Sequence, residues 1–321
     1  MKILIVGGAG YVGGAVTDLL MDANQFALKP SAAYDILVYD SLLYEESYRK
    51  PVPFVRGDIR DRARLLLHLR WADAVIWLAA IVGDGACALD PASAVEVNQE
   101  SVRWLADNFS GRIIFLSTCS VYGAADSELD ETSPTNPLSV YASTKLAAES
   151  YLADANALIF RLGTLYGLSD HFSRVRFDLV LNTLTQRAHR DGRITVFGGE
   201  QYRPLLHVRD AARAVVRGLE QSATGVYNLS RSNWSISDLA GMVATEFPNL
   251  EVLRTPQHFE DNRNYQVSSE RARRDLGFDP AYSLSDGIRE IKLLLDEQRL
   301  TLPDLARYWN DRHLAAAQGG K

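Results

Sequence analysis

The chain opens KILIVGGAGYVGGAV, and no other stretch limits its fold as tightly. The apolar, β-branched run Lys2–Val6 reads as a buried strand, and a helical pattern over 11–21 starts almost at once after it. Between them lie Gly7, Gly10 and Gly13 in a GxxGxxG spacing. Gly7 permits a tight turn, Gly10 lets backbone approach a pyrophosphate, and Gly13 lets helix and strand pack closely. The helix N-terminus, with Tyr11 and Val12, then presents partial positive charge to the phosphates. A strand–turn–helix of this kind predicts a dinucleotide site.

The following pattern extends that prediction. Runs at 35–39, 74–80 and 112–117 read as buried strands and 54–55 as a weaker one, with helices over 61–69, 92–108 and 138–154 and a further strand at 157–161. Continuous apolar strands separated by helices imply a parallel sheet covered on both faces. Beyond Tyr166 the pattern loosens into helices near 177–189, 207–220, 236–247 and 284–297, with strands at 194–197 and 226–229. The expectation is an α/β protein: a Rossmann doubly wound parallel sheet over 1–165, rejoined by 205–225, and a smaller C-terminal α/β substrate lobe built from 166–204 and 226–310. The chain after residue 302 reads as amphipathic and then as a polar tail, 311–321.

Composition sets outer bounds. Of 321 residues, 47% are hydrophobic and 23% charged, which excludes a largely disordered chain. The 34 basic and 40 acidic residues give a net charge of −6, with no basic stripe for nucleic acid. No apolar run approaches the roughly 18 residues of a membrane span, and the first one stops at Gly7, too short for a signal-peptide core. Cys87 and Cys119 form no CxxC pair, so neither a disulfide framework nor a metal site is expected, and the reducing cytosol is the expected compartment.

Asp40 ends the second strand, where a carboxylate accepts both ribose hydroxyls of NAD and repels the extra phosphate of NADP; Ser41 and Leu42 follow without an arginine. Gly57-Asp58-Ile59 stands where adenine would be held. In VYASTKLAAE, Tyr141 and Lys145 are four residues apart and share a helix face. An ammonium beside a phenol favours phenolate, which takes a proton from a hydroxyl while its carbon loses hydride. FLSTCSVYG leaves Thr118 at the carboxyl edge of the sheet, where its hydroxyl can bond the reacting oxygen and relay the proton. Trp77 reads as core, His207 as a structural histidine at a strand–helix junction, and Cys119 as buried and inert.

GGAGYVGG, Asp40, GDI, WLAA, STCSVYG, YASTK and RLGTLYG, in this order, resemble the extended short-chain dehydrogenase/reductases acting on nucleotide sugars. The likeness runs to SERARRDLGFDPAYSLSDGIREI, which is similar to the family's closing helix. It implies a firmly held NAD, dimerisation through paired helices, and Thr118, Tyr141 and Lys145 as the family's Ser/Thr–Tyr–Lys triad. By position, Leu78, Ala79, Ala80 and Leu162 fall along the nicotinamide and Asp58 and Ile59 at adenine.

Departures from the family pattern narrow the reaction. The family's 4,6-dehydratases carry Thr-Asp-Glu where this chain has Thr118-Cys119-Ser120, so the acid and base that dehydration needs are missing from that motif. Its C3/C5 epimerases carry a cysteine where Ser120 stands. Chemistry at one carbinol carbon, C4, is left: a 4-epimerase is favoured, a 4-dehydrogenase or 4-keto-reductase stays open, and a non-catalytic NAD-binding regulator is the remaining class. LAAIVGDGACALDP and FSRVRFDLVLNTLTQRAHRDG resemble members that include GDP-heptose 4-dehydrogenases, which points to surface-carbohydrate biosynthesis. In RLGTLYGLS, Thr164 replaces the asparagine that reaches the diphosphate. Arg203, Arg263 and Arg176 are the candidate anion grips, because planar guanidinium forks suit phosphate. Cys87, in the loop after the fourth strand, and Asn182 complete the expected sugar pocket.

Overall fold

The computed structural model describes residues 1–25, 34–256, 263–300 and 305–319. In chain order the first half runs β1 (Lys2–Val6), α1 (Tyr11–Gln25), β2 (Asp35–Asp40), β3 (Phe54–Arg56), α2 (Arg62–Leu69), β4 (Ala74–Trp77), α3 (Asp84–Leu89), α4 (Pro91–Val95), α5 (Ser101–Asn108) and β5 (Arg112–Thr118). β6 (Ala124–Leu129) leaves the sheet, and α6 (Val140–Tyr151) and β7 (Ala157–Leu162) lead back to it. The second half adds β8 (Thr164–Tyr166), α7 (Val180–Asp191), β9 (Arg193–Phe197), β10 (Tyr202–His207), α8 (Val208–Gly218) and β11 (Gly225–Leu229). It closes with β12 (Ser232–Ser235), α9 (Ile236–Glu246), β13 (Glu251–Thr255), β14 (Asn264–Val267), α10 (Glu270–Leu276), α11 (Leu284–Asp296) and α12 (Asn310–Gly319).

Seven strands form one sheet in the order β3-β2-β1-β4-β5-β7-β11, every pair parallel. Successive side chains of a strand point to opposite faces, and the core divides accordingly. Ile3, Ile5, Val38 and Ile114 pack with Val16 and Leu20 of α1 and Val215 of α8. Leu4, Val6, Val75 and Phe115 pack on the other face with Leu65, Val102 and Ala148 of α2, α5 and α6. Both faces are covered, which is why these strands are apolar throughout. The strand order reverses between β1 and β4, and the crevice outside their carboxyl ends is where open α/β sheets bind ligands.

A second lobe is built from small sheets, β12-β10-β8, β13-β9 and β14-β6, with α7, α9 and α11 packed over Ile194, Val196 and Leu205. Several local expectations differ from the structure. β4 stops at Trp77 instead of 80, because the Leu78 and Ala79 amides both turn to the Val6 carbonyl (2.8 and 2.9 Å). The helical stretch 92–108 is interrupted by a π-helical turn, Glu96–Glu100. The segment after β4 holds a helix, α3, where a loop was expected. Gly225–Leu229, placed with the lobe from sequence, is the edge strand beside β7. The tail forms α12, and its last two residues lie outside the described ones.

Candidate active site

The glycine-rich turn is tight for reasons of contact. Gly7 has φ +88°, and a Cβ there would lie 2.4 Å from the Ala79 amide nitrogen. A Cβ on Gly13 would lie 2.6 Å from the Gly7 carbonyl and the Gly8 Cα. A Cβ on Gly10 would meet nothing nearer than the Gly7 carbonyl at 3.5 Å, so this glycine faces open space. Tyr11 is buried and donates to the Gly167 carbonyl (2.6 Å), tying α1 to the lobe, with half-buried Val12 beside it. Asp40 accepts from the Ala9 amide (3.0 Å) and the Leu42 amide (2.7 Å), and burial pushes its carboxyl above the usual range. Two bonds leave each carboxylate oxygen with capacity for ribose hydroxyls. Asp58 is bound by Arg60 (2.6 and 3.0 Å), Ile59 is buried, and Leu78, Ala79 and Ala80 are half-buried at the end of β4. A dinucleotide fits this cradle: small residues where backbone must approach, a helix N-terminus, and an oriented carboxylate at the end of β2.

The candidate catalytic side chains lie on β5 and α6. Ser139 caps α6, accepting from the Ala142 amide (3.2 Å) and donating to Asp84 Oδ1 (2.7 Å). Tyr141 and Lys145 therefore occupy one face of the first turns of α6. Burial and the Cys87 thiol push the Tyr141 phenol above its usual range, while the Arg176 guanidinium pulls it back. The buried Lys145 Nζ lies 4.0 Å over the Phe115 ring, and burial pushes the ammonium down to about 7 against the opposing pull of Glu149. Glu149, one turn on, is paired with Arg161 (2.7 Å). Thr118 ends β5, and its Oγ1 accepts from the Ser120 amide (3.1 Å). Cys119 points away, its thiol on the Arg161 carbonyl (3.2 Å).

The substrate side gathers some of the expected residues. Ser120 and Tyr265 share a hydrogen bond (3.2 Å), and Tyr265 lies close enough to influence the Tyr141 phenol. Buried Arg203 donates to the Tyr202 carbonyl (2.8 Å) and to the Arg263 carbonyl (2.5 Å), and Arg263 pairs with Asp84 (3.0 Å). Asp84 thus joins the catalytic helix to the lobe. Arg176 is bound to Asp178 (2.8 Å) above the Tyr11 ring. Thr164 is half-buried at the start of β8, and Leu162 ends β7. Asn182 is fully buried with both ends of its amide on backbone: its oxygen accepts from Gly167 (3.0 Å) and its nitrogen donates to the Arg176 carbonyl (2.9 Å). Cys87 is likewise fully buried, on α3, donating to the Ile81 carbonyl (3.3 Å). His207 caps α8 and bonds Glu290 (3.0 Å).

Sequence reading missed Asn98, Asp84 and Tyr265. Asn98 lies in the π-turn, a feature that recurs at functional sites, and holds both the Ile81 amide and carbonyl (2.8 Å each). Its signal was present: it stands four residues from both Ala94 and Val102 on the buried stripe, where an amide is out of place. Among the described residues no helix is long and apolar enough to cross a membrane.

A parallel sheet with a glycine-rich turn at its switch point and a carboxylate at the end of β2 places the fold in the dinucleotide-binding α/β class. Comparison with known proteins agrees. The NAD dependent epimerase/dehydratase family matches residues 3–230, and the chain belongs to that family. It is an NAD-dependent enzyme of the extended short-chain dehydrogenase/reductase type. UDP-glucose 4-epimerase of Corynebacterium glutamicum is 26% identical over 314 residues, covering 88% of this chain and 92% of that one. dTDP-glucose 4,6-dehydratase of Mycolicibacterium smegmatis is 30% identical over 247 residues, covering 70% of each. The UDP-glucuronic acid 4-epimerase of Bacillus cereus, solved with UDP-glucuronic acid and NAD, superposes with a TM-score of 0.77 at 26% identity, over 92% of this chain and 100% of that one.

Proposed function

We propose that this chain is a nucleotide-sugar 4-epimerase that works through a transient 4-keto sugar, in surface-carbohydrate biosynthesis. The observation that carries the reading is Tyr141 and Lys145 one turn apart on α6, with Lys145 over the Phe115 ring of β5, the strand that Thr118 ends, and no carboxylate at Cys119 or Ser120. Bound NAD supplies the acceptor that takes hydride from C4 and returns it, and a positive ring that favours phenolate. Tyr141 removes the proton of the C4 hydroxyl and later gives it back; Thr118 holds that oxygen between them. Lys145 offsets the phenolate charge, and its low value in the buried pocket is raised by the same phenolate. Gly7, Gly10, Tyr11, Val12 and Gly13 hold the pyrophosphate, Asp40 the ribose, Asp58 and Ile59 the adenine, and Leu78, Ala79, Ala80 and Leu162 the nicotinamide.

Arg203, Arg263 and Arg176 grip the diphosphate, with Thr164 beside them. Cys87 and Asn182 act from behind the pocket, Cys87 beneath Tyr141 and Asn182 by fixing the Arg176 carbonyl. The relatives include both 4-epimerases and 4,6-dehydratases, so the preference for inversion over dehydration rests on the missing carboxylate at Cys119 and Ser120. The homodimer that the family likeness implies belongs to the same reading, checked by light scattering. The test is a panel of UDP-, GDP-, CDP- and dTDP-sugars followed by mass spectrometry and NMR. Inversion at C4 without net NADH supports the proposal. Lasting NADH with a 4-keto product makes the enzyme a dehydrogenase, and silence with every sugar favours a regulatory protein.

A further inference from the structure

The C-terminal segment bonds to the loops that follow β2 and β4. Its root is apolar: Tyr308 and Trp309 pack on Phe177 at 5.5 and 5.7 Å between ring centroids, beside Ile291 and Leu295 of α11. The Phe177 amide donates to the Tyr308 carbonyl (2.9 Å), fixing the root to the lobe. From there the first turn of α12 reaches two loops of the Rossmann sheet. Asn310 Nδ2 donates to the Val82 carbonyl (2.8 Å), two residues past Ala80 at the end of β4. His313 Nε2 donates to the Leu43 carbonyl (2.9 Å), three residues past Asp40 at the end of β2, and its ring lies 5.5 Å from that of Tyr44. Leu314 packs into the cluster that holds Ile81, Cys87 and Tyr141.

Sheet order makes these contacts informative. β1 lies between β4 and β2, so the two loops to which the segment is bonded flank the loop after β1. That loop is the glycine-rich turn. Buried Arg174 reinforces these contacts, donating to the Arg307 carbonyl (2.6 Å) and to Asn310 Oδ1, while its own amide donates to Glu45 of the β2 loop (2.9 Å).

We propose that residues 308–314 are a wall of the cofactor site: a clasp rooted in the lobe and latched at both loops, which must lift before the dinucleotide can leave. The proposal rests on the NAD reading and adds an element outside the span 3–230 that the family match covers. A cofactor held in this way stays through both hydride steps, as an epimerase requires. The root is separate from the latches, so the latches can be removed without unpacking the lobe.

The experiment compares full-length protein with Asn310→Ala/His313→Ala, with a chain ending at residue 304, and with Arg190→Ala at an exposed position near the end of α7 as control. Each is loaded with NAD, and release is followed by exchange against labelled NAD, with circular dichroism to confirm folding. The double variant is expected to release NAD at least tenfold faster while still folded, with a lowered melting point because buried Asn310 holds Arg174 and the Val82 carbonyl, and the shortened chain faster still. Equal release rates from full-length and double variant, both folded, overturn the clasp. The double variant carries that decision even if the shortened chain fails to fold. A full-length chain that binds no NAD at all removes the cofactor reading and the clasp with it.

Discussion

Replacing Asn98 by leucine keeps the side-chain volume near constant and deletes its hydrogen bonds. The residue is 1% exposed, and its carboxamide is the partner that the structure gives the Ile81 amide (2.8 Å). That N–H would be left unsatisfied in the interior, at about 1–3 kcal/mol. The Ile81 carbonyl loses a bond of the same length but keeps the Cys87 thiol at 3.3 Å, so its share is about 1 kcal/mol. The sum is about 2–4 kcal/mol. For a chain of this size the expected fall in melting temperature is about 3–6 °C. Function should suffer as well, because Ile81 follows the Leu78-Ala79-Ala80 edge and Asn98 also reaches Thr144 on α6 (3.4 Å). Urea and thermal unfolding measure the first effect, and NAD affinity of the folded fraction the second. Gln99→Leu, one residue along and half-buried, should cost under about 1 kcal/mol. An Asn98→Leu protein as stable as wild type would refute the claim that this amide holds the loop.

Asp40→Ala should weaken NAD binding more than NADP binding, since only NAD depends on the carboxylate; titration calorimetry showing equal losses would remove the argument for cofactor choice. Glu149→Gln leaves the buried Arg161 without its counter-charge and should cost about 3–5 kcal/mol in urea unfolding, whereas an unchanged midpoint would mean the pair is neutral to folding. Lys145 gives a pH dependence in the cofactor-free protein. Its folded value is lowered to about 7, below that of the unfolded chain, so between pH 7 and about 10 the unfolded state binds the extra proton. Stability relative to Lys145→Met should therefore be lowest below pH 7 and rise with pH across that window; a flat difference from pH 6 to 9.5 would contradict the burial of this ammonium.

β1, β2, β4, β5 and β7 were legible because each carries a continuous apolar run, whereas β3 is too short to show one and β11 was placed with the lobe; the glycine turn was legible because GxxGxxG leaves few alternatives for backbone. Thr118, Tyr141 and Lys145 followed from their place relative to those elements. The short strands β8, β12, β13 and β14 carry too few residues for an alternation to show. α3 was hidden because Asp84-Gly85-Ala86-Cys87 is small and contains glycine, and only its packing on α6 and α12 makes it helical. β4 ended early because the Leu78 and Ala79 amides both turn to the Val6 carbonyl, which no local pattern records. The partners of Asn182, Arg263 and Arg203 lie far away in sequence or on backbone atoms, so residue type suggested a ligand role while contacts decide their orientation. The clasp was obscure for a similar reason: its bonds go to carbonyls of the β2 and β4 loops.

Deuterium at C4 of the substrate tests the central claim most directly. Given a nucleotide sugar that the enzyme turns over, labelled at that carbon, the account predicts a C4-inverted product that keeps its deuterium, with Tyr141→Phe still binding NAD and sugar but leaving the label and configuration untouched. Deuterium that leaves the sugar in wild-type turnover, or inversion that persists in Tyr141→Phe, would contradict it.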